Sequence, residues 1–136
     1  MADLGAIGRR RAGRSTRSNL VKEAGRDVAT NERHYSVYII QLDPTVLEKK
    51  KFREANPNHN PKRPCLYVGM TGKTPDERFQ QHKAGIKANR YVKEYGKWLR
   101  RKMYKEFNPM TYEEAVAKEI DLAEELRRKG YAVWQN

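Results

Sequence analysis

Residues 34–42, HYSVYIIQL, place apolar or aromatic side chains on both faces of an extended chain. A strand of that kind has to be covered from both sides, which confines it to a sheet with packing layers on each face. CLYVGM at 65–70 is a second such run. The stretch between them, DPTVLEKKKFREANPNHNPKRP, opens on Asp-Pro, the start of a short helix over about 44–54. It closes in an Asn- and Pro-rich loop. The two runs read as neighbouring antiparallel strands separated by an insertion at about 43–64.

Two helix starts follow. Thr74 can cap, Pro75 suits the first helical position and Glu77 completes a capping box, so a helix should run to a stop near Gly85. Thr111 and Glu114 form a second box, opening a helix to about Lys129 that Gly130 ends. Between them KAGIKANRYVKEYGKWLRRKMYKE carries nine basic and two acidic residues, with room for a short helix and another strand. Trp98 is expected in the core, with Tyr91, Tyr95 and Tyr104 competing for core and surface roles. These elements describe one α+β domain over 33–136.

Charge narrows the partner. Lys and Arg number 29 against 17 acidic residues, a formal +12, and such an excess attracts polyanions, nucleic acid first. Residues 1–32 are poor in large apolar side chains and read as a flexible basic arm. Cys65 is the only cysteine, so there is no disulfide framework and no Cys-rich zinc site. The basic run Arg9–Arg11 has no apolar segment after it, and no run is long enough to span a bilayer. A cytoplasmic protein without membrane contact is the expectation.

The turn after the second strand, GMTGKT, suggests a phosphate-binding loop, but only two residues separate Gly69 from Gly72. A loop that wraps phosphates needs four between its glycines, so no nucleotide cofactor is expected. Other groups offer chemistry. Arg78 and His82 are four apart on the first long helix and point the same way. An Arg can grip a phosphate with two donors, and a His can donate, accept or shuttle a proton near neutral pH. Glu119 shares the apolar stripe of the last helix with Ala115, Leu122 and Leu126. A carboxylate facing a core is costly unless it is paired or binds a metal. Tyr38 and Tyr67 can stand on one face of two adjacent strands, either finishing the core or orienting a water.

Taken in order, these residues resemble the GIY-YIG nuclease family. Ser36-Val37-Tyr38 corresponds to its first motif and Tyr67-Val68-Gly69 to its second. Arg78 and His82 align with its helical Arg and His, Glu119 with its metal-binding Glu, and Asn136 with a terminal Asn. The resemblance covers roughly residues 34–136. It implies a small, mainly antiparallel three-stranded sheet flanked by helices. It also implies one divalent cation, Mg²⁺ or Mn²⁺, held by Glu119, and an endonuclease acting on nucleic acid, DNA before RNA. Under that pattern Tyr38 is the general base or water-orienting group, Arg78 neutralises the phosphate, His82 assists proton transfer or holds a phosphate oxygen, and Tyr67 supports by hydrogen bonding. Lys73, Lys83, Lys87, Arg90, Arg100, Arg101 and Asn136 are the candidate contacts to the nucleic acid. Ser36 stands where the family favours glycine, and the insertion is longer than in minimal members. On Ser36 alone, a non-catalytic nucleic-acid-binding module of the same fold is the second reading, and a protein-binding basic domain is the third. Oligomeric state is left open.

Overall fold

A computed structural model of the chain describes residues 32–135. The basic arm read over 1–32 lies, Glu32 apart, outside that range, as does Asn136. Residues from His34 onward form one compact unit. Strand β1 spans Ser36–Leu42 and β2 spans Cys65–Thr71. All of β1 except Gln41 and all of β2 except Met70 are buried. Both faces are covered, as a doubly apolar run requires. The two strands pair antiparallel, with Tyr38 opposite Gly69 and Ile40 opposite Tyr67.

The sheet has four strands and is mixed, which corrects the expectation of three mainly antiparallel ones. Its order is β3-β1-β2-β4, where β3 is Gly96–Leu99, antiparallel to β1, and β4 is Ala132–Gln135, parallel to β2. Strand β4 is only four residues long and starts immediately after a helix stop, too short for a period to show. Its parallel direction comes from the long helix before it, which carries the chain back to the end where β2 begins. The outer edge of β4 is then closed by the insertion. The Asn56 side chain accepts from the Val133 N–H at 2.7 Å and donates to the Val133 carbonyl at 3.1 Å.

The insertion's helical part is not one helix over 44–54. A 3₁₀ turn at Pro44–Glu48 gives way at Lys49, whose ψ of 121° is extended, to helix α1 at Lys50–Glu54. Helix α2, Pro75–Ala84, carries the full Thr74–Glu77 capping box and stops on Gly85 at φ 84°. Helix α3, Arg90–Tyr95, is capped by Asn89 and leads directly into β3. Helix α4, Tyr112–Arg128, opens on the Thr111–Glu114 box and packs along β4, β2 and β1. Among the described residues no helix is long and apolar enough to cross a membrane.

One sheet face carries Tyr38, Tyr67 and Trp134, against which α1, α2 and α3 bring Phe52, His82 and Tyr91. Phe52, Tyr91 and Trp134 interlock, with edge-to-face pairs at 5.7 and 4.9 Å. Such pairs contribute about 0.5–1.5 kcal/mol each beyond area burial. Trp134 is therefore the tryptophan that packs inward. Trp98, expected in the core, is 51 % exposed on the edge strand β3.

Candidate active site

The register of β1 on β2 puts Tyr38 and Tyr67 diagonally across one face, their rings 6.1 Å apart. Opposite Tyr38 stands Gly69, and the phenol lies on it. A Cβ at that position would sit 2.6 Å from the Tyr38 hydroxyl and 2.9 Å from the Tyr67 ring. The glycine of the Tyr-Val-Gly motif thus supplies the space that Tyr38 occupies.

His82, on the inward face of α2, approaches the Tyr38 hydroxyl to 2.9 Å with Nε2. Its other nitrogen is decided by the backbone: Nδ1 accepts from the Asn89 N–H at 3.0 Å. A nitrogen that accepts from an N–H carries no proton, so the neutral ring holds its proton on Nε2 and donates to Tyr38. Burial, then the Arg78 charge, pushes the His82 pKa down to about 4, which keeps the ring neutral. With 1 % exposure and both nitrogens engaged, His82 fixes Tyr38 rather than presenting an atom to solvent. Asn89 escaped notice as a bare sequence position. Its side chain caps α3 by accepting from the Tyr91 and Val92 N–H groups, while its own N–H sets the tautomer.

Asn108 was likewise legible only as part of a turn. Its side chain accepts from the Val37 N–H at 2.9 Å and donates to the Val37 carbonyl at 2.8 Å. It replaces a strand neighbour beside Tyr38.

Arg78, one turn before His82, is anchored by its own guanidinium. It donates to Gln81 Oε1 and the Ile86 carbonyl at 3.2 Å each, and to the Lys87 carbonyl at 2.8 Å. Lys87 holds a φ of 46°, a left-handed conformation that costs a non-glycine residue roughly 1–3 kcal/mol. The strained residue is the one whose carbonyl takes the shortest of these bonds. The Arg78 charge reaches Tyr38 and Tyr67, lowering the pKa of both phenols against the dominant effect of burial. The net result is a Tyr38 pKa pushed up to about 12 and a Tyr67 pKa well above its ordinary value.

Glu119 lies within the stripe of Ala115, Leu122, Ala123 and Leu126 on the buried side of α4. Its charge raises the pKa of Tyr38 and of Tyr67, so the carboxylate and the guanidinium act on the same pair of phenols from α4 and α2. Its Oε2 is buried without a hydrogen-bond partner, and burial pushes its pKa up to about 8. An orphaned buried oxygen on an ionisable group is the feature a cation would satisfy.

Of the basic candidates, Lys73, Lys87 and Arg90 are exposed. The Lys83 ammonium donates to the Lys93 and Gly96 carbonyls, tying α2 to the start of β3. Arg101 pairs with Asp76 at 3.0 Å, and Arg100 donates to Gln41 Oε1 at 2.6 Å.

A family model described as the GIY-YIG catalytic domain matches residues 34–132. The chain belongs to the GIY-YIG family. No curated protein and no solved structure matches it. GIY-YIG domains are those of nucleases, which act on nucleic acid and generally use a divalent metal. Among the described residues no three His, Cys, Asp or Glu side chains gather into a metal cluster. Glu119, with a buried oxygen lacking a partner, is a carboxylate that could take part in holding such a cation. That arrangement fits a hard ion such as Mg²⁺, which retains several waters and takes one or two carboxylates.

Proposed function

We propose that this GIY-YIG protein is a metal-dependent endonuclease that hydrolyses phosphodiester bonds in DNA. The observation that carries the reading is a single phenol, Tyr38. It is seated on Gly69 and held by His82, within reach of an anchored guanidinium and an unsatisfied buried carboxylate.

Glu119 would hold Mg²⁺ or Mn²⁺, which supplies charge stabilisation at the phosphate and leaving oxygen when bound. Tyr38 takes the proton of the attacking water. Its pKa of about 12 in the metal-free protein is raised in part by the Glu119 charge, so neutralising that charge moves the phenol toward ionisation. His82 is a positioning residue: its Nε2–H donates to the Tyr38 oxygen and stabilises the phenolate. Arg78 offsets the charge that builds on the phosphate, and its fixed anchors mean that little reorganisation is needed. Tyr67 backs Tyr38 from the same face. Lys73, Lys87, Arg90, Arg101 and the terminal Asn136 contact the nucleic-acid backbone.

The test is incubation of purified protein with plasmid, single-stranded DNA and RNA, with Mg²⁺, with Mn²⁺ and with chelator. Metal-dependent nicking of DNA is expected, and binding without cleavage under any metal would assign the protein to the inactive-module reading. Gly69→Ala refines the assignment. The added methyl displaces Tyr38 from His82, and a displacement of about 1 Å at a reacting group costs on the order of a hundredfold in rate. Retained cleavage in Gly69→Ala would remove Tyr38 from the chemistry.

A further inference from the structure

The exposed face at the β3 edge carries an indole and, apart from Arg101, cations that the chemistry proposed at Tyr38 and Glu119 does not use. Trp98 stands opposite Gln41, so it shares the sheet face of Gln41 rather than that of Tyr38, and it is 51 % exposed. Helix α4 packs on β4, β2 and β1, which leaves β3 at the far margin of its cover. The indole there offers a flat, open surface for stacking.

Beside it is a cleft of about 320 Å³ formed by Trp98 and the run Leu99–Met103, with Arg100, Arg101 and Lys102 in its walls. Arg100 also lines a second cleft, of about 430 Å³. It is walled by Lys62, Arg63 and prolines of the insertion. Arg100 lines both, so the two clefts are neighbours and together offer a trough-like basic surface. No carboxylate lines either cleft. Arg100 is bound to a neutral amide, which leaves its charge uncompensated. Arg101 is partly neutralised by Asp76. Asp43, next to the second cleft, is taken by the Thr45 N–H and hydroxyl and by Lys97.

We infer that this trough binds a single-stranded stretch of nucleic acid, with Trp98 stacking on a base and Lys62, Arg63, Arg100 and Lys102 following the phosphates. A row of cations alone would serve any polyanion. The open indole selects a ligand with unpaired, exposed base faces, which duplex DNA does not offer. The insertion supplies one wall of the second cleft through Lys62, Arg63 and its prolines. The inference rests on the nucleic-acid reading above and sharpens it: the substrate has a single-stranded tail or branch as well as the bond to be cut.

The test reads tryptophan fluorescence and affinity, independently of cleavage, in metal-free buffer. Oligo-dT and oligo-U are the single-stranded probes, with blunt duplex DNA and heparin as polyanions lacking free bases. Single strands are expected to quench the wild-type signal while heparin binds without quenching; the DNA and RNA arms show which sugar is preferred. Trp98→Ala should weaken single-strand binding by about tenfold, as loss of one base stack does. It should leave duplex and heparin affinity unchanged. Trp98→Phe should restore most of the affinity without the quenching, since Trp134 is half-buried and packed against Phe52 and Tyr91. Lys62→Gln with Lys102→Gln should lower the slope of affinity against salt by about two charges. Equal loss for every polyanion in Trp98→Ala, or quenching by heparin, would overturn the inference. Quenching by single strands in a protein that cleaves nothing would instead overturn the catalytic reading and leave the trough standing.

Discussion

Glu119→Gln is expected to reduce metal-dependent cleavage by at least about a thousandfold, and at the same time to make the metal-free protein more stable. Both effects have one cause. Burial raises the Glu119 pKa from 4.5 to about 8, because Oε2 has no partner to stabilise the ionised form. Between those two values the folded protein holds a proton that the unfolded chain has released. Stability then falls as pH rises, by about 1.4 kcal/mol per unit at most. At pH 7 the accumulated cost is on the order of 2–4 kcal/mol, and it is complete once the pH passes the folded value. Glutamine cannot ionise, so the variant loses this slope. Thermal melts in chelator should show Glu119→Gln gaining over the wild type at pH 8 and little at pH 5; the opposite slope from His82, whose folded pKa of about 4 destabilises both proteins at pH 5, cancels in that difference. Added Mg²⁺ should raise the wild-type melting temperature at pH 8 and leave the variant's unchanged. A variant that still cleaves, or a wild type whose melting ignores both pH and metal, would take Glu119 out of the site.

That cost explains how the carboxylate could be noticed from the sequence at all. Glu119 interrupts a stripe of Ala115, Leu122 and Leu126, and an acidic residue in a core stripe is a local contradiction that a purely structural helix would not keep. The two capping boxes were equally legible, since Thr74 with Glu77 and Thr111 with Glu114 settle helix starts by hydrogen bonds within four residues. The strands β1 and β2 declared themselves by being apolar on both faces. Each of these signals is local, or periodic over a window the chain supplies.

What escaped depended on contacts between distant segments. Strand β4 is four residues whose partner, β2, lies on the far side of the longest helix. Trp98 and Trp134 are chemically alike, and only the sheet order decides that one sits at an open edge and the other against Phe52 and Tyr91. The role of His82 turns on an N–H from Asn89, a donor that every non-proline residue carries and that no composition marks. The break at Lys49 follows the same logic. Lys49 is the N-cap of α1, and Phe52 just inside that helix is fully buried against the aromatic cluster.

The second large effect is expected from Tyr38→Phe, which removes one oxygen from a packed site and little else. The ring keeps its seat on Gly69 and its place beside Tyr67, so the fold should survive. What is lost is the acceptor for His82 Nε2–H and the group that takes the water's proton. General-base loss lowers rates by about 10²–10⁴-fold. The pH profile separates this from simple disturbance of packing. With metal saturating, Glu119 is held ionised throughout, and the remaining titration belongs to a phenol whose pKa lies well above neutrality. Wild-type cleavage should then rise close to tenfold per pH unit from pH 7 to 9, because the phenolate fraction rises by that factor. Tyr38→Phe should be slow and nearly flat over the same range. A slow variant that keeps the wild-type slope would assign the titration to another group and leave Tyr38 a packing residue. Tyr67→Phe is the control within the same pair. Its hydroxyl is buried behind Tyr38, so the rate should fall less and the slope should persist.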